Sequence, residues 1–230
     1  MTRNLHTVPA YSSHMHFLAN LAAVMVKPRA TMRRILDAPG SRMVLPLVLL
    51  VTVSGMLGDL DAPKVQQYLQ HSGGWQVGLL VAGVVVCVIA AMVGLFYLCA
   101  WVPFLIGRFL FEGTGDIRGM RAALAWGLAP AVWALLYRVP AAIWFTSSGA
   151  AAVRVRNGGV KFDPGMIANG CGVALVFMLL ELIVIAWCGL VMSNTVGETH
   201  GFSALHGFGT LLIAAIVPVI VVIAAALAMM

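Results

Sequence analysis

Charge is what this sequence has least of. Of its 230 residues only 10% are Asp, Glu, Lys or Arg, against roughly 25% in a soluble domain. That shortfall excludes a water-soluble enzyme. The signatures of soluble catalysis are missing too: there is no GxxxxGK[ST] loop, no HExxH, and no Ser/His/Asp or paired-carboxylate arrangement. The four cysteines, Cys87, Cys99, Cys171 and Cys188, form no CxxC pair and all lie in apolar stretches. They read as small apolar packing residues rather than as a metal knuckle or redox centre. No cofactor, no metal and no enzymatic activity is expected. A cleavable signal peptide is not expected either. The apolar stretch Phe17–Val26 follows a polar 16-residue leader and runs directly into Lys27-Pro28, without a basic n-region or a small-residue cleavage site.

What is abundant is apolar sequence, at 61% of residues and a mean hydropathy of +0.98. Five long runs hold most of it: Met43–Leu60, Trp75–Phe111, Arg121–Phe145, Cys171–Asn194 and Leu205–Met230, with almost every charge in the gaps. About 20 apolar residues match the ~30 Å hydrocarbon core of a bilayer. A lipid-embedded backbone must satisfy its own hydrogen bonds, so such runs are helices. The expected fold is all-α: a polytopic membrane protein with a five-transmembrane-helix bundle and an N-terminal interfacial amphipathic helix. Residues 1–42 form the arm and residues 43–230 the membrane domain.

In that arm residues 1–14 are polar, and Met15–Asp37 reads as an interfacial helix broken at Pro28 and ended by Pro39-Gly40. Arg29, Arg33 and Arg34 cluster beside Met32, Ile35 and Leu36, a basic amphipathic turn suited to anionic headgroups. The net charge of +6 does not imply nucleic acid, because the basic residues flank the spans rather than forming one block. Lys27, Arg29, Arg33, Arg34, Arg118 and Arg121 are the candidate contacts to lipid headgroups or protein partners. The positive-inside rule orients the chain. Nine Lys and Arg fall on the side of the N-terminal arm, including Arg3, Arg42, Arg108, Arg118 and Arg121. Five at most, Lys64, Arg138, Arg154, Arg156 and Lys161, fall on the other. The N-terminus is therefore expected in the cytoplasm.

Proline sets the expected bends. Pro103 lies 28 residues into the second run, which predicts a tilted helix kinked near Val102–Pro103. Pro130 and Pro218 predict kinks in the third and fifth spans. The outer loop Ser147–Asn169 carries the turn signals Asn157-Gly158-Gly159 and Asp163-Pro164-Gly165. Pairs such as Ala90/Gly94 and Ala125/Ala129 allow close helix approach.

Three places hold polar chemistry. Glu181 is the single acid deep in a span, where an unpaired charge costs several kcal/mol. Its natural partner is Arg138. Counted inward from the outer ends, the two lie about 18 Å and about 12 Å deep, a gap their side chains can close. A structural ion pair between the third and fourth spans, a protonated Glu181 and a proton or ion relay are the three readings. The segment Glu112–Arg121 has glycines at a helix start, but no strand precedes it as a phosphate cradle requires. Asp116 reads instead as an N-cap. The fourth connection, Gly197–His206, gathers Glu198, His200 and His206 in a cytoplasmic polar cluster. Their spacing matches no metal motif.

These connections carry a family resemblance. The segment Pro28–Asp37 before the first span, the Gly-rich Gly113–Met120 leading to Ala129-Pro130, and Trp187 followed by Glu198-Thr199-His200-Gly201-Phe202-Ser203 resemble the Yip-domain membrane proteins over roughly residues 27–225. The resemblance implies a five-helix bundle with a cytoplasmic N-terminus. The eukaryotic branch, named for binding small Ypt/Rab GTPases, carries an Asp-Leu-Tyr-Gly-Pro motif that this sequence lacks, so GTPase binding does not carry over. The compact chain looks like a member from the bacterial inner membrane. The implied function is a non-enzymatic scaffold or accessory subunit of a membrane complex, in contact with lipids and with other membrane proteins as a homo- or hetero-oligomer. The alternative is a small transporter with a polar pathway at Glu181 and Arg138.

Overall fold

The computed structural model describes residues 13–37, 43–58, 75–148, 153–156, 159–162 and 164–228. Arg3, the Pro39-Gly40 stop, Arg42, Lys64, the Asn157-Gly158 turn and Asp163 lie outside the described residues, as do the side chains of His14, His16, Arg154, Arg156, Lys161 and Cys171.

Proline divides the arm. α1 (Ser13–Val26) and α2 (Pro28–Asp37) meet at Lys27. A residue before proline is pushed out of the helical region, while proline itself suits the first turn of the next helix. Lys27 serves both helices: its N–H closes on the Ala23 carbonyl at 2.8 Å and its carbonyl accepts from Thr31 at 3.0 Å. The apolar face of α2 does not lie on lipid as the amphipathic pattern suggests. Met32 and Ile35 are wholly buried, within the same core as Leu21 and Val24 of α1. An apolar stripe beside a larger apolar surface gains as much from protein as from lipid.

The first run forms α3 (Val44–Gly58). The second forms α4 (Trp75–Cys99) and α5 (Trp101–Leu110), separated only at Ala100. The break falls at Ala100 rather than at Val102–Pro103, because a proline ring disturbs the turn before it. Ala100 keeps helical angles, so Gly78–Leu110 continues as one apolar helix of 33 residues. The third run is cut into α6 (Ile117–Gly127), α7 (Ala129–Trp133) and α8 (Leu135–Ser148). Its bend of 44° falls between Trp133 and Leu135, one turn after Pro130. Pro140 is accommodated inside α8.

Beyond α8, a hairpin of β1 (Val153–Arg156) and β2 (Gly159–Phe162) pairs Val153 with Phe162 and Arg156 with Gly159. α9 then runs 37 residues, Pro164–His200, and α10 covers Ala204–Ala228, its backbone helix continuing past Pro218. Helix α9 reaches further than its apolar run in both directions. Polar residues end hydrophobicity but not helicity; the helix stops only at Gly201, whose φ of +77° suits glycine. There Phe202 N–H returns to the Gly197 carbonyl at 2.9 Å and Gly201 N–H to Glu198 at 3.3 Å, a Schellman closure. The expected Gly197–His206 loop is therefore only Gly201–Ser203. A side chain at Gly207 would place its Cβ 2.1 Å from the Ser193 carbonyl oxygen, so glycine is what lets α10 fold back tightly on α9.

Among the described residues the protein is all-α apart from the hairpin. Two helices among those described residues, Gly78–Leu110 and Gly172–His200, are long and apolar enough to cross a membrane, and the bent third run makes a further span when taken as one. The first and fifth runs appear among the described residues as shorter apolar helices, Val44–Met56 and Ala204–Val217. At the centre lies α6, where Met120, Ala122, Ala123 and Trp126 are wholly buried. Phe17 of α1 packs on Trp126 at 5.6 Å between ring centres, and Thr195 of α9 donates to the Ala123 carbonyl at 2.9 Å.

Candidate functional site

The end of α9 draws three distant segments together. Arg29 and Arg33 stand one turn apart on α2 and so share a face; both reach Glu198. Arg33 Nε donates to Glu198 Oε1 at 2.7 Å, and Arg29 Nε lies 3.5 Å from Oε2. Arg29 also donates to the Phe202 carbonyl, which joins α2 to the α9–α10 connection. The bonded carboxylate holds the Arg33 guanidinium above its ordinary range. Arg34, one position further round the helix, instead donates through Nη2 to Asn20 Oδ1 of α1. Arg34 and Lys27 border a groove of about 370 Å³ lined also by Ala23, Val26, Ala30 and Thr31. The arm cations thus separate into a pair engaged by Glu198 and a pair at the groove.

His200 points the other way, into the body. It is 3% exposed and stacks on Phe202, 5.1 Å between ring centres and 4° from parallel, with Phe104 of α5 at 6.3 Å. Gly107 and Gly113 make room for it. A Cβ at Gly107 would stand 2.5 Å from Nε2, and one at Gly113 would stand 2.3 Å from Nδ1. Neither ring nitrogen has a hydrogen-bond partner among the described residues. The Gly-rich segment is therefore a seat for an imidazole rather than a phosphate cradle. It is anchored by Gly113 N–H on the Gly107 carbonyl at 2.9 Å and Thr114 N–H on the His200 carbonyl at 3.3 Å. Asp116 caps α6, accepting from Gly119 N–H at 2.8 Å.

His206 belongs to a third environment. Its Nδ1 is 2.8 Å from Ser203 Oγ, and its ring meets Phe111 edge-on at 5.4 Å. Phe202 lies between the two histidines, 6.0 Å from the His206 ring centre as well as stacked on His200, and Glu198 is turned to the arginines of α2. No group of three or more His, Cys, Asp or Glu able to hold a metal occurs among the described residues. Arg118 is exposed at the start of α6. Arg121 turns inward, its guanidinium 4.9 Å from the Tyr97 ring centre, a cation–π contact to α4.

The second polar site lies inside the apolar helices. Arg138 of α8 and Glu181 of α9 meet as a bidentate pair, Nε to Oε1 at 2.7 Å and Nη2 to Oε2 at 2.5 Å. The fork of a guanidinium matches a carboxylate in this geometry. Arg138 Nη1 donates to Ser54 Oγ at 2.9 Å, and Ser54 donates to the Ala131 carbonyl at 2.6 Å. One network therefore ties α3, α7, α8 and α9. Ser54, wholly buried, is a residue that sequence reasoning passed over. Its signal was a pair of hydroxyls, Thr52 and Ser54, before Gly55 in an otherwise apolar run.

The fold and these sites define a class, a polytopic α-helical membrane protein whose polar residues join helices to one another. Within that class the chain matches the Yip1 domain over residues 22–227. It belongs to that family, and Arg29/Arg33, Gly113–Met120 and Glu198–Ser203 all fall inside the matched stretch. No curated protein and no solved structure matches the chain.

Proposed function

We propose that this membrane protein is a non-enzymatic scaffold or accessory subunit, spanning the bacterial cytoplasmic membrane five times with its N-terminus and arm inside. Residues 1–42 then form a cytoplasmic arm and residues 43–230 the membrane domain. The observation that carries the reading is the placement of the second run. Gly78–Leu110 crosses with none of its most apolar window buried in its own chain, while the intramembrane charges are engaged in holding other helices together. A helix so displayed suits association with the spans of other membrane proteins, where packing rather than hydrophobicity drives contact. The charge count, with Arg29, Arg33 and Arg118 all on that side, supports the inside placement of that end.

Quantitative mass spectrometry of a gentle-detergent pull-down tests this. The expected result is one membrane protein recovered in fixed ratio with the chain; a chain recovered alone from a membrane that expresses it normally would overturn the reading. The transporter alternative draws on the Arg138–Glu181 pair. It requires Glu181→Gln to abolish flux of a solute while assembly stays intact, whereas the scaffold reading expects loss of assembly.

A further inference from the structure

We infer that the groove between α1 and α2 is a binding site for the headgroup of an anionic phospholipid. The inference rests on the arm lying at the headgroup level of the membrane. Arg29 and Arg33 are held by Glu198 and are not at the groove. Lys27 and Arg34 border it, and no carboxylate is among its lining residues. Arg34 is positioned by Asn20, itself 7% exposed; the bond occupies one nitrogen and leaves other N–H groups of the fork for a phosphate. Ala23 and Ala30 keep the floor of the groove low.

The second half of the ligand has its place alongside. Leu18, Ala22 and Val26 recur every four residues and form one stripe of α1. Leu18 is 64% and Val26 78% exposed, while Leu21 and Val24 face the core. An exposed apolar stripe running up to a cationic groove has the outline of a phospholipid, with a charged head and hydrocarbon beside it. A free phosphate would use the cations and leave the stripe unexplained.

The test uses the full chain reconstituted in equimolar phosphatidylglycerol and phosphatidylcholine, extracted gently, with retained lipid measured by native mass spectrometry. The wild type is expected to hold phosphatidylglycerol in excess. Lys27→Ala/Arg34→Ala should reduce that excess, by about fivefold for each cation removed. Ala30→Phe keeps both charges but fills the groove, and should reduce it as well. An unchanged excess in the double variant, or in Ala30→Phe, would overturn the site. So would displacement of the lipid by inorganic phosphate, which would make the ligand a free anion. Equal size-exclusion profiles show that the variants remain folded. A chain that fails to enter the membrane fraction would instead defeat the underlying placement, an outcome separable from a membrane-embedded chain that shows no lipid preference.

Discussion

Among the described residues two glutamates, Glu181 and Glu198, are engaged by arginine, and the differences between the two sites matter more than their shared chemistry. Arg138 and Glu181 meet through both carboxylate oxygens inside the apolar helices, with Arg138 only 14% exposed. Arg33 and Glu198 meet at the arm end, where the arginine is 71% exposed. In the first, water is not at hand to solvate a charge left alone, so the pair and its Ser54 partner must form together. In the second, Arg33 could return to water at little cost, while Glu198, only 13% exposed, keeps Arg29 beside it at 3.5 Å. The buried contact is a condition of folding, whereas the exposed one sets where α2 rests.

Breaking the inner contact should have the largest effect. Glu181→Ala strands Arg138 and is expected to cost about 3–5 kcal/mol, read as loss of folded protein on thermal challenge in detergent. Arg138→Met combined with Glu181→Leu should recover most of that loss; if the double variant is as damaged as the single, the pair does more than join helices. Next comes the imidazole seat. Gly113→Ala drives a methyl into His200 and should cost about 1–3 kcal/mol. Adding His200→Ala should relieve part of it, because the Gly107 carbonyl oxygen still stands 2.9 Å from the new Cβ; a double-mutant cycle reads the relief. Asp116→Ala removes the α6 cap at an expected ~0.5–2 kcal/mol, measured as a lowered melting midpoint. Smallest is Glu198→Gln. It should leave the melt nearly unchanged and instead raise protease access to α2, an effect that high salt reproduces in the wild type. A melt as damaged by Glu198→Gln as by Glu181→Ala would erase the distinction between the two contacts.

Much of this architecture was readable from residue order because lipid imposes a simple rule on length and apolarity. The helical class, the break before Pro28, the Asp116 cap and the family follow from local signals. What could not be read were the ends and the faces. Helix α9 passes through Asn194 and Thr195 because these residues interrupt hydrophobicity and not backbone hydrogen bonding, and only Gly201 offers a way out. The apolar face of α2 looked like a lipid face because sequence records amphipathicity and not what lies opposite. His200 looked like part of a polar loop; its inward turn depends on Gly107 and Gly113, more than 80 positions earlier in the chain. Ser54 was hidden because one hydroxyl hardly alters the apolarity of its run.

The unbroken length of α9 has a mechanical consequence. Its 37 residues extend roughly 55 Å, and Glu181 and Glu198 are fixed on it about 25 Å apart. A helix is stiff along its axis, so the two carboxylates move as marks on one strut. A partner that tilted or drew down the arm would pull on the inner arginine, and strain at Arg138 would be felt at the arm. Two contacts whose arginines differ so much in exposure are thus geared to one another through a single rod.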